Sequence, residues 1–215
     1  MLDPTKAATY EQFRKPDSSF HTDKYARIMR AIPNRSTLTA VEIGCGSGIY
    51  TRFLEQDFGM VIATDIDPAM VAQAQQQCPN VKALVADGTK LPFDDESVDV
   101  VAGISTLHHI PDRHAVFREA ARVLKPGGYA VFCEPNRYNP MTLACQTWYR
   151  EPALTKSMLR KYAKAAGLRI VALSTVLLRS PGVTFITDNI PGYSHVERAA
   201  EALNLGVSVY VVAQK

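Results

Sequence analysis

The sequence predicts an α/β domain built on a doubly wound, mainly parallel sheet. Three observations carry that reading. Short apolar runs of β type alternate with helical patterns through the middle of the chain, a glycine-rich turn joins the first run to the helix after it, and carboxylates stand at the ends of three successive runs. Strand, helix, strand in this order closes right-handed crossovers into a parallel sheet. The 215 residues fall within the range of one such domain, and a hydrophobic fraction of 47% is ordinary for a well-formed core.

The elements follow in order. The segment up to about Pro33 is polar, with Tyr10, Phe13, Phe20 and Tyr25 spaced through it, and 23–31 reads as a helix stopped before that proline. Strands are expected at 39–43, 60–64, 81–85, 98–103 and 128–134, with helices at 49–56, 68–77 and 114–124 between them. Pro68 suits the first turn of a helix, where its missing N–H costs nothing. Lys125-Pro126-Gly127-Gly128 reads as a helix stop and a turn into the next strand. Beyond Pro135 the rhythm loosens. An irregular stretch spans 136–151, a helix 155–166 ends at Gly167, and 168–176 reads as a strand. A loop over 178–195, a short helix at 196–203 and a last strand at 207–213 complete the chain.

Composition narrows the partners. A formal net charge of +3 with 21% charged residues is not the footprint of a nucleic-acid binder, which concentrates basic residues on one face. Lys156, Arg160, Lys161 and Lys164 cluster at helical spacing, as a solvated helix face does. Cys45, Cys78, Cys133 and Cys145 show no zinc-like or dithiol spacing. Met1-Leu2-Asp3-Pro4 lacks the start of a secretory leader, and no apolar stretch approaches the ~20 residues that span a bilayer. The expectation is a cytoplasmic chain with free thiols, no metal and no membrane span.

Chemistry concentrates where Thr39-Ala40-Val41-Glu42-Ile43 runs into Gly44-Cys45-Gly46-Ser47-Gly48. Glycines let a backbone turn sharply and approach a ligand, and the helix N-terminus beyond offers unpaired N–H groups. The G-x-G-x-G spacing differs from the G-x-G-x-x-G of dinucleotide enzymes, and Glu42 places a carboxylate where a pyrophosphate would be repelled. S-adenosylmethionine, which has no phosphate and carries a sulfonium and an ammonium, fits such a loop better. Asp65 ends the second strand and can accept both ribose hydroxyls; Asp67 reads as the N-cap of the helix at Pro68. Asp87-Gly88 ends the third, where a carboxylate can accept from an adenine amino group.

With these pieces in place, the run from Val41 to Pro135 resembles the class I S-adenosylmethionine-dependent methyltransferases, in particular the group that includes quinone, sterol and small-molecule methylating enzymes. Val41-Glu42-Ile43-Gly44-Cys45-Gly46-Ser47-Gly48, Ala63-Thr64-Asp65-Ile66-Asp67-Pro68 and Ala86-Asp87-Gly88-Thr89-Lys90-Leu91-Pro92-Phe93 carry the resemblance. Ser97-Val98-Asp99-Val100-Val101, Leu107-His108-His109-Ile110-Pro111-Asp112 and Arg122-Val123-Leu124-Lys125-Pro126-Gly127-Gly128 continue it. The resemblance implies a Rossmann-like, seven-stranded, mainly parallel sheet with the last strand antiparallel. It implies S-adenosyl-L-methionine as cofactor, with Glu42, Gly44, Gly46, Gly48, Asp65, Asp87, Gly88 and Ser105 as binding residues. It divides one domain, 1–215, into an N-terminal helical lid (1–35), a cofactor-binding core (36–135) and a substrate-side insertion with C-terminal strands (136–215).

Methyl transfer from a sulfonium is an in-line displacement, so alignment matters most, and a hydroxyl acceptor also needs a base. His109, His108 and Glu134 stand at the ends of the fourth and fifth strands, with His109 preferred; a structural role in the loop before Pro111 is the alternative for either histidine, and packing for Glu134. His21 and Tyr25 can close over the site or simply pack a lid helix, and Cys45 and Cys133 read as small buried fillers. Tyr138, Met141, Trp148, Tyr149, Phe185, Ile190 and Tyr193 suit a moderately hydrophobic small-molecule acceptor, and a protein or membrane-surface contact nearly as well. The leading reading is methylation of a small or lipid-like metabolite at oxygen. Carbon methylation of a quinone-like ring and a non-catalytic binding module are its rivals.

Overall fold

Strand β1 (Thr39–Ile43) lies inside a seven-stranded sheet with β2 (Met60–Asp65), β3 (Lys82–Val85), β4 (Val98–Ile104), β5 (Leu124–Pro135), β6 (Arg169–Val176) and β7 (Ser208–Gln214). The order across it is β3-β2-β1-β4-β5-β7-β6. In this computed structural model β1 pairs in parallel with β2 and β4, β2 with β3, and β4 with β5, whereas β7 runs antiparallel to both β5 and β6. This is the Rossmann-like sheet that the resemblance implies, down to the reversed last strand. The structure describes residues 19–140, 142, 152–176, 199 and 202–215. The expected 178–195 loop, most of the 196–203 helix, and Met141, Trp148, Tyr149, Phe185, Ile190 and Tyr193 lie outside them.

Period-two alternation divides each strand between two cores. Ala40, Val100, Ala102 and Val131 pack on the face covered by α1 (Ser19–Met29), α2 (Ile49–Asp57) and α3 (Pro68–Gln77). Val41, Ile43, Val101 and Phe132 pack on the other face with α4 (Arg113–Val123) and α5 (Lys156–Ala165). Phe117 and Phe132 meet there, both fully buried, with ring centroids 4.4 Å apart. Truncating either to alanine would cost ~3–5 kcal/mol.

Local chemistry sets the element ends. Asp67 accepts from the Ala69 N–H at 2.8 Å ahead of Pro68, and Asp112 caps α4 through the Ala115 N–H at 2.9 Å. Helix α1 starts before the expected 23–31, and it ends earlier too, where the Arg35 guanidinium donates to the Met29 and Ile32 carbonyls at 2.9 and 2.8 Å in place of a further turn. The Lys125–Gly128 stretch is a correction of another kind. Strand β5 already starts at Leu124, paired with Val98, and the next pair is Val100 with Tyr129. The expected turn is therefore a bulge inside the strand, not a break before it. On α5, Leu159, Tyr162 and Ala163 are buried while Arg160, Lys161 and Lys164 are exposed, as a solvated basic face requires. No helix among the described residues is long and apolar enough to cross a membrane.

Candidate active site

A cavity of about 920 Å³ opens at the carboxyl ends of β1 to β4, across the point where strand order reverses between β1 and β4. Open α/β sheets bind their ligands at this point. The volume lies toward the upper end of the ~300–1,000 Å³ range of small-molecule sites.

Its floor is the loop after β1. Gly44 has φ 68°, and a Cβ on it would lie 2.6 Å from the Thr106 Cβ and closer still to the Thr106 hydroxyl, so no larger residue fits. Gly46, with φ 52°, is different: a Cβ there would meet nothing within 4 Å, and the residue lines the cavity. Its N–H donates to Asp65 Oδ2 at 2.9 Å, while Oδ1 of the same carboxylate accepts from the Asp67 N–H at 3.0 Å. Asp65 thus ties the glycine loop to the end of β2 and still faces the cavity. Gly48 stands off the cavity wall, where a Cβ would come within 3.2 Å of Ala74 Cα; its smallness lets α2 lie against α3.

Asp87 and Gly88 line the cavity at the end of β3. Asp87 Oδ1 accepts from the Thr89 N–H and hydroxyl at 2.8 and 2.7 Å, and these bonds hold its carboxyl below the usual range. A Cβ on Gly88 would lie 2.5 Å from Ile43 Cγ2. Between the two acids, Ile66 is an apolar side chain left 70% exposed, and it too lines the cavity. At the end of β4, Ser105 adopts φ 58°, its N–H donating to the Cys133 carbonyl at 2.7 Å. Such a left-handed non-glycine residue is uncommon and here faces the cavity.

Three predicted side chains lie off the cavity wall. Glu42 is absent from the cavity wall; alternation along β1 turns it toward α2, where the Thr51 hydroxyl donates to Oε2 at 2.6 Å. Burial pushes its carboxyl up to about 7, with the Thr51 hydrogen bond opposing and Asp65 adding to the rise. The three strand-four and strand-five candidates also separate. Glu134 is fully buried and accepts from the backbone N–H groups of Thr106, Leu107 and His108 at 3.0, 2.9 and 3.3 Å. His108 Nδ1 donates to the same carboxylate at 2.6 Å. That pair holds the loop from behind, whereas His109 is exposed on the cavity wall with its ring 3.9 Å from that of His108.

The N-terminal helix contributes a group that the sequence reading passed over. Lys24 is 2% exposed, lines the cavity, and donates to Ser105 Oγ at 3.0 Å; its ammonium sits 5.2 Å from the Tyr50 ring centroid. His21 also lines the cavity, its Nδ1 2.8 Å from the Tyr50 hydroxyl. Tyr25 points away, donating to Asp57 at 2.9 Å and stacking on Phe53. The i, i+3 spacing of His21 and Lys24, with Ile28 four residues on, was the available signal that they share a face. Cys45 lines the cavity and Cys133 is buried behind it, its thiol pushed up to about 11 by burial.

Comparison with known proteins finds similarity over the part of the chain that builds this site. Residues 41–132 match a family described as a methyltransferase domain. Over that segment, a little under half of its length, the chain is similar to S-adenosylmethionine-dependent methyltransferases. It is 37% identical over 109 residues to the 27-O-demethylrifamycin SV methyltransferase of Amycolatopsis mediterranei, covering 47% of this chain and 40% of that protein. It is 31% identical over 132 residues to the 2-methyl-6-phytyl-1,4-hydroquinone methyltransferase of a Synechocystis species, covering 60% and 41%. The chain therefore spans about two fifths of the length of these curated relatives. A chain from the complex between the Haloferax volcanii Trm112 methyltransferase activator and a methyltransferase superposes with TM-score 0.71 at 25% identity, over 97% of this chain and 94% of that one.

Proposed function

We propose that this chain transfers a methyl group from S-adenosylmethionine to a hydroxyl of a small, moderately hydrophobic acceptor. The carrying observation is His109: a histidine exposed on the wall of the cavity, beside Ser105 and Ile110, with its neighbour His108 engaged elsewhere. A base at that position can take the acceptor's proton as the oxygen is methylated.

The residues present fit the cofactor. Asp65 and Asp87 offer carboxylate oxygens to hydroxyl and amino donors, Ile66 and Ile110 supply apolar surface between them, and Gly46 leaves open the space a Cβ would fill. When bound, the cofactor supplies a methyl group activated by a sulfonium. Gly44 and Gly46 bring backbone close to its amino-acid end, Asp65 and Asp87 orient its nucleoside, and His109 holds or accepts a proton at the acceptor oxygen. Glu42, Gly48, His108 and Glu134 act one layer back, fixing the loops that carry these groups. The division into lid, core and substrate side at 35 and 135 belongs to the same proposal, as does a cytoplasmic setting.

Similarity to a hydroquinone methyltransferase favours carbon methylation of an aromatic ring as the second reading. Incubation with methyl-labelled S-adenosylmethionine and a metabolite extract, followed by identification of the labelled product, separates the two. Label on oxygen of a small metabolite supports the proposal; label on ring carbon favours the second reading. No incorporation, together with no binding of S-adenosylhomocysteine, overturns both.

A further inference from the structure

The cavity has two poles of charge. Asp65 and Asp87 stand at the ends of β2 and β3, and under the proposed function the nucleoside occupies that side. Lys24 stands at the other, against the end of β4. Its ammonium has three N–H groups. One goes to Ser105 Oγ, and Tyr50 takes another side through its hydroxyl and ring; no carboxylate among the described residues forms an ion pair with it. A buried ammonium with no carboxylate in contact is costly, and an anion bound in the cavity would complete its pairing.

We propose that Lys24, together with Ser105 and Tyr50, forms a carboxylate-binding point inside the cavity. The inference rests on the proposed function, since it assumes that the acid pole holds the nucleoside. Two sources can bring the carboxylate: the amino-acid end of the cofactor, or an acidic acceptor. Burial works against the Lys24 ammonium, yet Tyr50, Cys133 and Glu134 outweigh it and hold its pKa above the ordinary lysine value. The group is a fixed cation, suited to binding an anion and unsuited to removing a proton. Lys24 would then determine specificity for the charged end of whichever molecule lies there.

Calorimetry on the full chain and on Lys24→Met and Lys24→Arg tests this with three probes. S-adenosylhomocysteine carries the carboxylate, 5′-methylthioadenosine is the same thioether nucleoside without it, and benzoate is added to the S-adenosylhomocysteine complex. A loss of about 10- to 100-fold in S-adenosylhomocysteine affinity in Lys24→Met, with 5′-methylthioadenosine unchanged and Lys24→Arg partly restored, assigns the carboxylate to the cofactor. Unchanged affinity for both nucleosides, with benzoate binding seen in the parent and lost in Lys24→Met, assigns it to the acceptor. Equal weakening of both nucleosides overturns the proposal, and so does no change with any probe. If Lys24→Met fails to fold, the parent alone decides: it should bind S-adenosylhomocysteine at least 10-fold more tightly than the methyl ester, or bind benzoate in that complex, and failing both overturns the inference. A parent that binds no S-adenosylhomocysteine refutes the cofactor reading itself, a result distinct from the loss of Lys24 specificity.

Discussion

Replacing Gly44 by alanine adds one carbon at a place where two separate costs arise. The residue has φ 68°, a conformation that costs an L-residue ~1–2 kcal/mol. The new Cβ would also lie 2.6 Å from the Thr106 Cβ, and overpacking of that kind costs ~1–3 kcal/mol. Together they predict a loss of about 2–5 kcal/mol. Gly46→Ala shares the first cost, with φ 52°, and escapes the second, because nothing lies within 4 Å of its Cβ. It should lose only about 1–2 kcal/mol of stability while weakening S-adenosylhomocysteine binding, since its side chain enters the cavity. Urea unfolding at fixed pH measures the first quantity and calorimetry the second. Thr106→Gly in the Gly44→Ala background should recover the packing part, a coupling that a double-mutant cycle isolates. If Gly44→Ala is no less stable than Gly46→Ala, the close approach of β1 and the β4 loop is wrongly drawn.

Other substitutions separate the remaining roles. His109→Ala should lower turnover by ~10²–10⁴-fold with cofactor affinity unchanged, whereas His108→Ala should chiefly cost about 1–3 kcal/mol of stability by leaving the Glu134 carboxylate short of a donor; steady-state kinetics and unfolding curves that reverse this order would refute the assignment. Asp65→Ala should weaken S-adenosylhomocysteine binding by ~1–3 kcal/mol, through lost ligand contacts and a loosened Gly46 N–H, and Asp87→Asn by less, because an amide oxygen still accepts; equal affinities in a titration of both variants and the parent would contradict it. Glu42, ordinarily near 4.5 and held at about 7 by burial, keeps its proton in the folded state over a window where the unfolded chain has lost it. Stability should accordingly fall as pH rises from about 4.5 through 7, by about 3 kcal/mol at ~1.4 kcal/mol per pH unit of that window. Glu42→Gln should lack this component, and parallel pH profiles for parent and variant would disprove it.

What the sequence made legible was local. Glycine spacing after a strand, an acid at each strand end and an N-cap before Pro68 are written within a few consecutive residues, and Asp65, Asp87 and Gly46 all reach the cavity. Where Glu42, Glu134 and Lys24 lie depends on facts that are not local. Glu42 follows the alternation of β1 onto the helix face, a direction set by which sheet face α2 covers. The pairing of Glu134 with His108 joins positions 26 apart, which only the parallel register of β4 and β5 brings together. Lys24 escaped notice because a lysine is almost never buried, and its surroundings come from three separate elements, α1, α2 and the end of β4. The bulge at Gly127-Gly128 reads as a turn in sequence, since a left-handed glycine ends helices and kinks strands alike.

The antiparallel position of β7 has a consequence for how the chain reaches its fold. Among the described residues, strand β6 has β7 as its one neighbour in the sheet, and β5 pairs on its outer edge with β7. As the protein emerges from the ribosome, β1 to β5 can assemble in turn, but β5 and β6 keep open hydrogen-bonding edges until Ser208–Gln214 slides between them. During that interval the apolar segment 129–133 borders an unpaired edge, the kind of surface that recruits strands from other chains. Nascent chains stalled before β7 should be the species that chaperones capture, and substitutions that weaken β7 should reduce yield in cells more than they reduce the melting temperature of the purified protein.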